Sequence, residues 1–142
     1  MSSRKRYAIT GLHGVGKTSL CYAVAGRLRR LGLNAAVARE SARESHYLLM
    51  RTIIPQMELE ILGLQLVEEA RAELQADVVL CDRSVVDTVA YYLARFRETE
   101  LWDQEVYEAI EGFARCYVSS YASIYLLEGA KFDIADSFRD AD

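Results

Sequence analysis

The chain is poor in the residues that build disulfide frameworks, zinc sites and linkers. Its 142 residues include one proline, two histidines and three cysteines, Cys21, Cys81 and Cys116. The odd number and wide spacing of the cysteines predict three buried thiols in a reducing compartment. No apolar run approaches the about 20 residues of a transmembrane helix, and none of signal-peptide length follows the basic residues at 4–6. A cytoplasmic location is therefore expected.

The chain also lacks a large excess of charge of either sign. The chain has 17 Lys and Arg against 21 Asp and Glu, a net charge of −4, and 51% of its residues are hydrophobic. This balance gives no electrostatic footprint for nucleic acid or for an anionic membrane. With no repeat, linker or low-complexity tract, the composition predicts one globular domain over residues 1–142.

One short motif stands out against this background. Residues 11–18 read Gly-Leu-His-Gly-Val-Gly-Lys-Thr and fit G-x-x-x-x-G-K-[ST], the phosphate-binding loop or Walker A pattern. An apolar strand precedes it and a helical pattern follows, which is the context that the motif requires. We predict that Lys17 reaches the β- and γ-phosphates of ATP and that Thr18 ligates Mg²⁺. The residues expected to bind the nucleotide are Gly11, His13, Gly14, Val15, Gly16, Lys17, Thr18 and Ser19.

Strands and helices are expected to alternate along the whole chain. The predicted strands are 7–10, 35–39, 77–81 and 122–127. The predicted helical segments are 17–31, 41–53, 56–75, 85–97 and 103–118. This alternation predicts an α/β fold with a parallel sheet covered on both faces. In such sheets the ligand lies at the carboxyl ends of the strands.

A second phosphate-side motif follows the third strand. Asp82 ends an apolar run, as a Mg²⁺-binding carboxylate of the Walker B type does. The alternative is a helix N-cap, a role that Ser84 fills equally well. Arg83 stands where many ATPases have a glutamate that activates water. A cation at this position favours phosphoryl transfer over hydrolysis.

The acceptor side is predicted from the neighbouring strand end and the following helix. Glu40 is a candidate to orient or deprotonate an acceptor hydroxyl, and Arg43 to hold a phosphate or a polar ring. The alternative for both is a solvated helix start. Asp87 and Tyr91 are four residues apart on one helix face and can line an acceptor pocket, although Tyr91 fits a core position equally well.

The polar segment 131–142 has two interpretations. It can form a lid over the phosphates, with Arg139 contacting the transferred phosphoryl group. It can also be a disordered terminus.

Together these motifs resemble the small P-loop kinases, which include deoxyribonucleoside, thymidylate and ribosylnicotinamide kinases, and a group of uncharacterised AAA-type ATPase domain proteins. The resemblance rests on the loop at 11–18, on Arg39-Glu40-x-Ala42-Arg43 and on the segment from Asp82 to Asp87. It implies a three-layer P-loop NTPase fold with strand order 2-3-1-4. It also implies that Glu40 acts near the acceptor hydroxyl, that Arg83 contacts phosphate and that Arg139 is the lid arginine.

The chain departs from this family in one respect. Such kinases continue beyond the lid with a further helix and a fifth strand, whereas this sequence stops within the lid. Strand 122–127 would then form an unprotected sheet edge. Either the chain is a fragment, or a partner such as a second copy in a homodimer covers that edge.

The resulting functional expectation is a Mg·ATP-dependent kinase that acts on a small acceptor, a nucleoside or a nucleotide. Two alternatives remain open at this point: a regulatory ATPase that switches a partner, and a module that binds nucleotide without turnover.

Overall fold

A computed structural model describes residues 4–12 and 15–128. In those ranges four strands and five helices alternate along the chain. The strands are β1 (Lys5–Thr10), β2 (Ala35–Ala38), β3 (Val78–Asp82) and β4 (Tyr121–Leu126). The helices are α1 (Lys17–Arg30), α2 (His46–Leu49), α3 (Pro55–Gln75), α4 (Val85–Phe96) and α5 (Gln104–Tyr117).

The four strands form one parallel sheet in the order β2-β3-β1-β4, which confirms the predicted order. The register pairs Ile9 of β1 with Asp82 of β3, and Ala38 of β2 with Cys81 of β3. The carboxyl ends of β2, β3 and β1 therefore lie side by side. Strand β4 is an edge of the sheet in the part of the chain that the structure describes.

Helices cover both faces of the sheet because its central strands are apolar on both sides. On one face, Ile9 and Leu80 pack against Cys21 and Ala25 of α1. On the other face, a larger cluster joins the sheet to α3, α4 and α5 around Tyr92 and Phe96, among others. Strand β3 is almost wholly buried, as a strand covered on both faces must be.

The helix starts follow local sequence signals. Pro55 is the first residue of α3, where its missing N–H would have no partner in the helix. Ser84 caps α4, and its hydroxyl accepts from the Val86 N–H. The Asp103 carboxylate caps α5 by accepting from the Val106 N–H.

Two expectations on local structure are wrong. The segment 41–53 is not one helix, because a 3₁₀ turn at Ala42–Glu44 is separated by Ser45 from the short α2, which ends at Leu49. The Ser45 hydroxyl accepts from the Leu48 N–H, so Ser45 caps a new helix and does not continue an old one. Cys116 is exposed, whereas Cys21 and Cys81 are buried as predicted. Its position on the outer face of α5 explains the difference.

Among residues 4–12 and 15–128, no helix has both the length and the apolar character needed to cross a bilayer.

The fully buried Tyr92 links α4 to the start of α5, and this contact gives a prediction on stability. Its hydroxyl donates to the Asp103 carbonyl at 2.7 Å and accepts from the Asp103 N–H at 3.2 Å. Tyr92→Phe leaves both backbone groups without this partner and should lower the free energy of unfolding by about 1–2 kcal/mol. Urea denaturation measures the loss. Tyr22→Phe, at a side chain that is half exposed, is the matched control and should change stability little. Equal stability of the two variants would contradict a structural role for the Tyr92 hydroxyl.

Candidate phosphate and acceptor site

The candidate site lies where β1, β2 and β3 end. The loop after β1 contains residues 11–16, Glu40 follows β2, and Asp82 and Arg83 end β3. The parallel register brings these three chain segments to one edge of the sheet. This is the edge at which parallel sheets bind ligands.

The loop between β1 and α1 depends on glycine at two described positions. Gly11 has φ of +151°, and a Cβ there would lie 2.7 Å from the Leu127 carbonyl oxygen. Gly16 has φ of +90° immediately before the first residue of α1. Both conformations are unfavourable for residues with side chains. Val15 and Ser19 flank the start of α1 and stay predicted nucleotide contacts, whereas His13 and Gly14 lie outside the described residues.

Lys17 points back into this loop from the first turn of α1. Its side chain is almost completely buried, and Nζ donates to the Leu12 carbonyl at 2.5 Å. Burial lowers the pKa of Lys17, and the nearby Arg83 lowers it further, while three carboxylates including Glu40 act in the opposite direction. A buried ammonium group beside a phosphate-binding loop motif is well placed for a phosphate anion.

Asp82 is buried beside Thr18. The Thr18 hydroxyl donates to Asp82 Oδ2 at 2.5 Å. Asp82 Oδ1 is buried and has no hydrogen-bond partner among the described residues. Burial raises the pKa of Asp82, and the Thr18 hydrogen bond only partly opposes this rise.

These two side chains fit a magnesium ion. An orphaned carboxylate oxygen in a buried position is stabilised by a cation. No cluster of three or more His, Cys, Asp or Glu side chains suited to a metal occurs in the described ranges. Mg²⁺ needs no such cluster, because it takes one or two protein oxygens and completes its shell with water and phosphate. The helix-capping role considered for Asp82 belongs instead to Ser84.

Arg83 has a strained backbone that both neighbouring elements hold in place. Its φ is +87°, which is uncommon for a residue with a long side chain. The Arg83 N–H donates to the Ile9 carbonyl at 3.0 Å, and its carbonyl accepts from Gln65 Nε2 at 3.2 Å. Such strain costs on the order of 1–3 kcal/mol and persists where surrounding contacts fix the geometry. It turns the Arg83 side chain away from the strand direction and into the cleft.

The Arg83 guanidinium group lies between acidic and aromatic side chains. Nε is 3.4 Å from Glu40 Oε1, and Nη1 is 3.9 Å from Asp87 Oδ1. Nη1 also donates to the Tyr91 hydroxyl at 2.9 Å, with the guanidinium carbon 4.9 Å from the centre of the Tyr91 ring. The structure thus brings together four of the residues predicted for the acceptor side: Glu40, Arg83, Asp87 and Tyr91.

Asp87 also organises the start of α4. Its Oδ2 accepts from the Ser84 N–H at 2.7 Å and from the Ser84 hydroxyl, and Oδ1 accepts from the Thr10 hydroxyl. This reciprocal arrangement with Ser84 is a capping box. Asp87 lines the pocket, so its contact with a substrate stays a prediction beside this structural role.

A pocket lies next to this cluster, and residues of α3 and α4 form much of its wall. Arg43, which is exposed, lies at its wall with the four residues above. Six polar lining residues were not predicted as part of the site: Ser41, Glu58, Gln65, Ser84, Thr88 and Arg95. Glu58 is fully buried and accepts from Arg95 Nη1 at 2.6 Å. Burial raises the pKa of Glu58, and Arg95 partly offsets that effect.

A signal for these residues was present in the sequence. Glu58 and Gln65 are seven apart on α3, on the same side as the apolar Ile61. Thr88, Tyr91 and Arg95 recur at helical spacing along α4. Polar side chains at core-facing positions of a helix indicate either a buried network or a pocket. Arg139 and the proposed lid lie outside the described residues.

Comparisons with known proteins agree with this geometry. A protein-family model described as AAA domain matches residues 6–142. No curated protein matches the chain at a significant level.

Solved structures with the same fold include a NadR protein, a deoxyadenosine kinase and a thymidylate kinase. The chain superposes on a NadR protein in complex with NR with a TM-score of 0.65 at 18% identity, over 87% of this chain and 33% of that one. It superposes on deoxyadenosine kinase from M. mycoides with bound dATP with a TM-score of 0.57 at 18% identity, over 88% of this chain and 66% of that one. For thymidylate kinase from Ehrlichia chaffeensis the TM-score is 0.54 at 16% identity, over 95% of this chain and 93% of that one.

The chain therefore spans about a third of the NadR protein and about two thirds of the deoxyadenosine kinase. At these identities the likeness establishes the fold, which is that of the P-loop kinases. The match over residues 6–142 establishes the family, and the chain belongs to the AAA-domain family of P-loop proteins.

Proposed function

We propose that this protein binds Mg·ATP on the loop at 11–18 and transfers the γ-phosphoryl group to a small acceptor, a nucleoside or a nucleotide. The observation that carries the proposal is the shared wall of two sites. Glu40 and Arg83 line the acceptor pocket 3.4 Å apart, and Arg83 directly follows Asp82, which accepts from Thr18 beside the phosphate loop. A triphosphate on the loop and an acceptor in the pocket would therefore meet at these residues.

The roles follow from chemistry and placement. Lys17 and Arg83 would neutralise charge on the phosphates, and Glu40 would orient or take the proton of the acceptor hydroxyl. Thr18 and Asp82 would hold Mg²⁺, which would neutralise charge on the phosphates. Positioning supplies most of the rate enhancement in such reactions. Arg139 is proposed as the residue that completes the phosphate contacts.

The solved relatives support an acceptor of this class. One is a deoxyadenosine kinase, one a thymidylate kinase, and one is bound to NR. The family description supports a second candidate, a nucleotide hydrolase. Arg83 disfavours that candidate, because it stands beside Asp82 where a carboxylate would activate water.

Lys17→Ala should weaken ATP binding by about 10- to 100-fold while leaving the fold intact. The variant loses one charge-assisted contact to phosphate, worth on the order of 1.5–3 kcal/mol. Lys17 is in neither hydrophobic core cluster, and its Nζ donates to the Leu12 carbonyl of the loop, so the fold should persist. Calorimetric titration and far-UV circular dichroism measure the two properties. Arg27→Ala, in the last turn of the same helix, is the control. Unchanged ATP affinity would rule out the phosphate-loop assignment.

Asp82→Asn should raise the Mg²⁺ concentration needed for ATP binding and should lower stability little. The amide cannot supply an anionic ligand to the metal, whereas it keeps the shape and can still accept from Thr18. The experiment titrates Mg²⁺ at fixed nucleotide and follows thermal unfolding of both proteins. An unaltered metal dependence together with a large fall in melting temperature would assign Asp82 a purely structural role.

Glu40→Gln should lower phosphoryl transfer by about 10²–10⁴-fold with ATP affinity near that of the wild type. The amide keeps the shape of the side chain but cannot take a proton. The acceptor is identified first by incubating the wild-type protein with γ-labelled ATP and a panel of nucleosides and nucleotides. Glu44→Gln, at an exposed side chain nearby, is the matched control. Transfer equal to wild type would show that Glu40 has no role at the acceptor, and a collapse of ATP affinity would place it in the metal site.

A further inference from the structure

The charges around the acceptor pocket nearly cancel in the described residues. Its wall contains three carboxylates, on Glu40, Glu58 and Asp87, and three guanidinium groups, on Arg43, Arg83 and Arg95. Arg83 lies close to two of the carboxylates, at 3.4 Å from Glu40 and 3.9 Å from Asp87. Arg95 lies 2.6 Å from the third, Glu58.

In the inner, buried part of the wall, acidic groups outnumber guanidinium groups. The side chains of Glu40, Glu58 and Asp87 are 13%, 1% and 9% exposed, and that of Arg83 is 7% exposed. Arg95 is partly exposed and Arg43 is exposed. The inner wall therefore carries three acidic groups against two guanidinium groups that they already pair. A phosphate dianion placed there would lose its hydration without gaining a free cation.

The pocket does offer a group that suits an uncharged, hydroxyl-rich molecule. Ser41 follows Glu40 directly, lines the pocket and is 2% exposed. Its hydroxyl does not cap the 3₁₀ turn that it precedes, and it has no hydrogen-bond partner among the described residues. Buried hydroxyl groups are normally paired, and an unpaired one beside a pocket indicates a position that a ligand fills.

We infer that the acceptor is an uncharged molecule of nucleoside type, not a nucleoside monophosphate, and that the Ser41 hydroxyl hydrogen-bonds it beside Glu40. This inference rests on the proposed phosphotransferase function and narrows its substrate class. In the transfer, the acceptor oxygen forms a bond to the γ-phosphorus, the bond from that phosphorus to the β,γ-bridging oxygen breaks, and ADP leaves. The proton of the acceptor hydroxyl passes to Glu40.

Matched pairs of acceptors test the inference directly. The full chain is incubated with γ-labelled ATP, Mg²⁺ and either a nucleoside or its own 5′-monophosphate, for each of the common bases. We expect kcat/KM to favour the nucleoside of the accepted base by at least about tenfold. A preference for the monophosphate would overturn the inference and leave phosphotransfer standing. Absence of transfer to every acceptor, with or without ATP hydrolysis, would overturn the proposed function and the inference with it.

Two variants test the Ser41 contact and the charge balance of the pocket separately. Ser41→Ala should raise KM for the nucleoside about three- to tenfold without changing KM for ATP, as expected for one lost hydrogen bond to a neutral group. Ser119→Ala, at an exposed site after α5, is the control. An unchanged KM in Ser41→Ala would overturn its assignment as an acceptor contact.

Glu58→Gln tests the charge balance. It keeps the shape of a buried side chain but removes the charge that pairs Arg95, so the activity on monophosphates relative to nucleosides should rise severalfold. Glu111→Gln removes a carboxylate from a more exposed Arg pair on α5, away from the pocket, and should leave that ratio unchanged. A ratio unaffected by Glu58→Gln would show that paired charge does not set the preference. Circular dichroism identifies any variant that fails to fold. In that case the comparison of each nucleoside with its 5′-monophosphate as acceptor for the wild-type protein decides the inference by itself.

Discussion

Arg83 holds the candidate site together through its backbone and its side chain at once. Its strained φ of +87° turns the chain at the end of β3. The Ile9 carbonyl of β1 accepts from the Arg83 N–H, and Gln65 of α3 donates to the Arg83 carbonyl. The guanidinium group then lies between Glu40, Asp87 and Tyr91. One residue thereby links the central strand, the neighbouring strand end and α4, and the relative placement of phosphate loop and pocket depends on it.

The two halves of the site differ in how their charges are satisfied. On the phosphate side, Lys17 is buried against backbone, and Asp82 has an oxygen without a partner among the described residues. Both groups would gain by binding an anion and a cation, which is what a magnesium–phosphate complex supplies. On the acceptor side, the buried charges are already paired with one another. The contrast is the basis for proposing a polyphosphate on one side and a neutral acceptor on the other.

Local signals in the sequence were sufficient for most of the individual strands and helices. Strand β3 is a continuous apolar run, α5 begins at a good N-cap residue, and the glycines of the loop at 11–18 have fixed spacing, so each could be predicted without distant contacts. The strand order came from resemblance to a family, because pairing between β1 and β3 joins residues more than 70 positions apart. The break at Ser45 was missed because the capping hydroxyl of this residue competes with helix continuation.

The candidate site was predictable where its residues belong to a motif, follow a strand end or share a helix face. Lys17 could be selected from the phosphate-binding loop pattern. Glu40, Asp82 and Arg83 could be selected because parallel strands bring their carboxyl ends together. The pair of Glu58 with Arg95 could not, since the two residues are 37 positions apart on different helices and meet only through packing of α3 on α4. The positive φ of Arg83 left no trace in the sequence, because arginine has no preference for that conformation. The double role of Asp87 likewise appears only in three dimensions, through its contacts with Ser84 and Thr10.

The central claim is that a triphosphate on the loop and an acceptor in the pocket share the wall formed by Glu40 and Arg83. A crystal structure of the protein with Mg²⁺, a non-hydrolysable ATP analogue and an accepted nucleoside tests it most directly. The account predicts phosphates around Lys17, the metal on Thr18 and Asp82, and an acceptor hydroxyl within about 3–3.5 Å of the γ-phosphorus beside Glu40. An acceptor bound elsewhere, or triphosphate density away from residues 11–18, would contradict it.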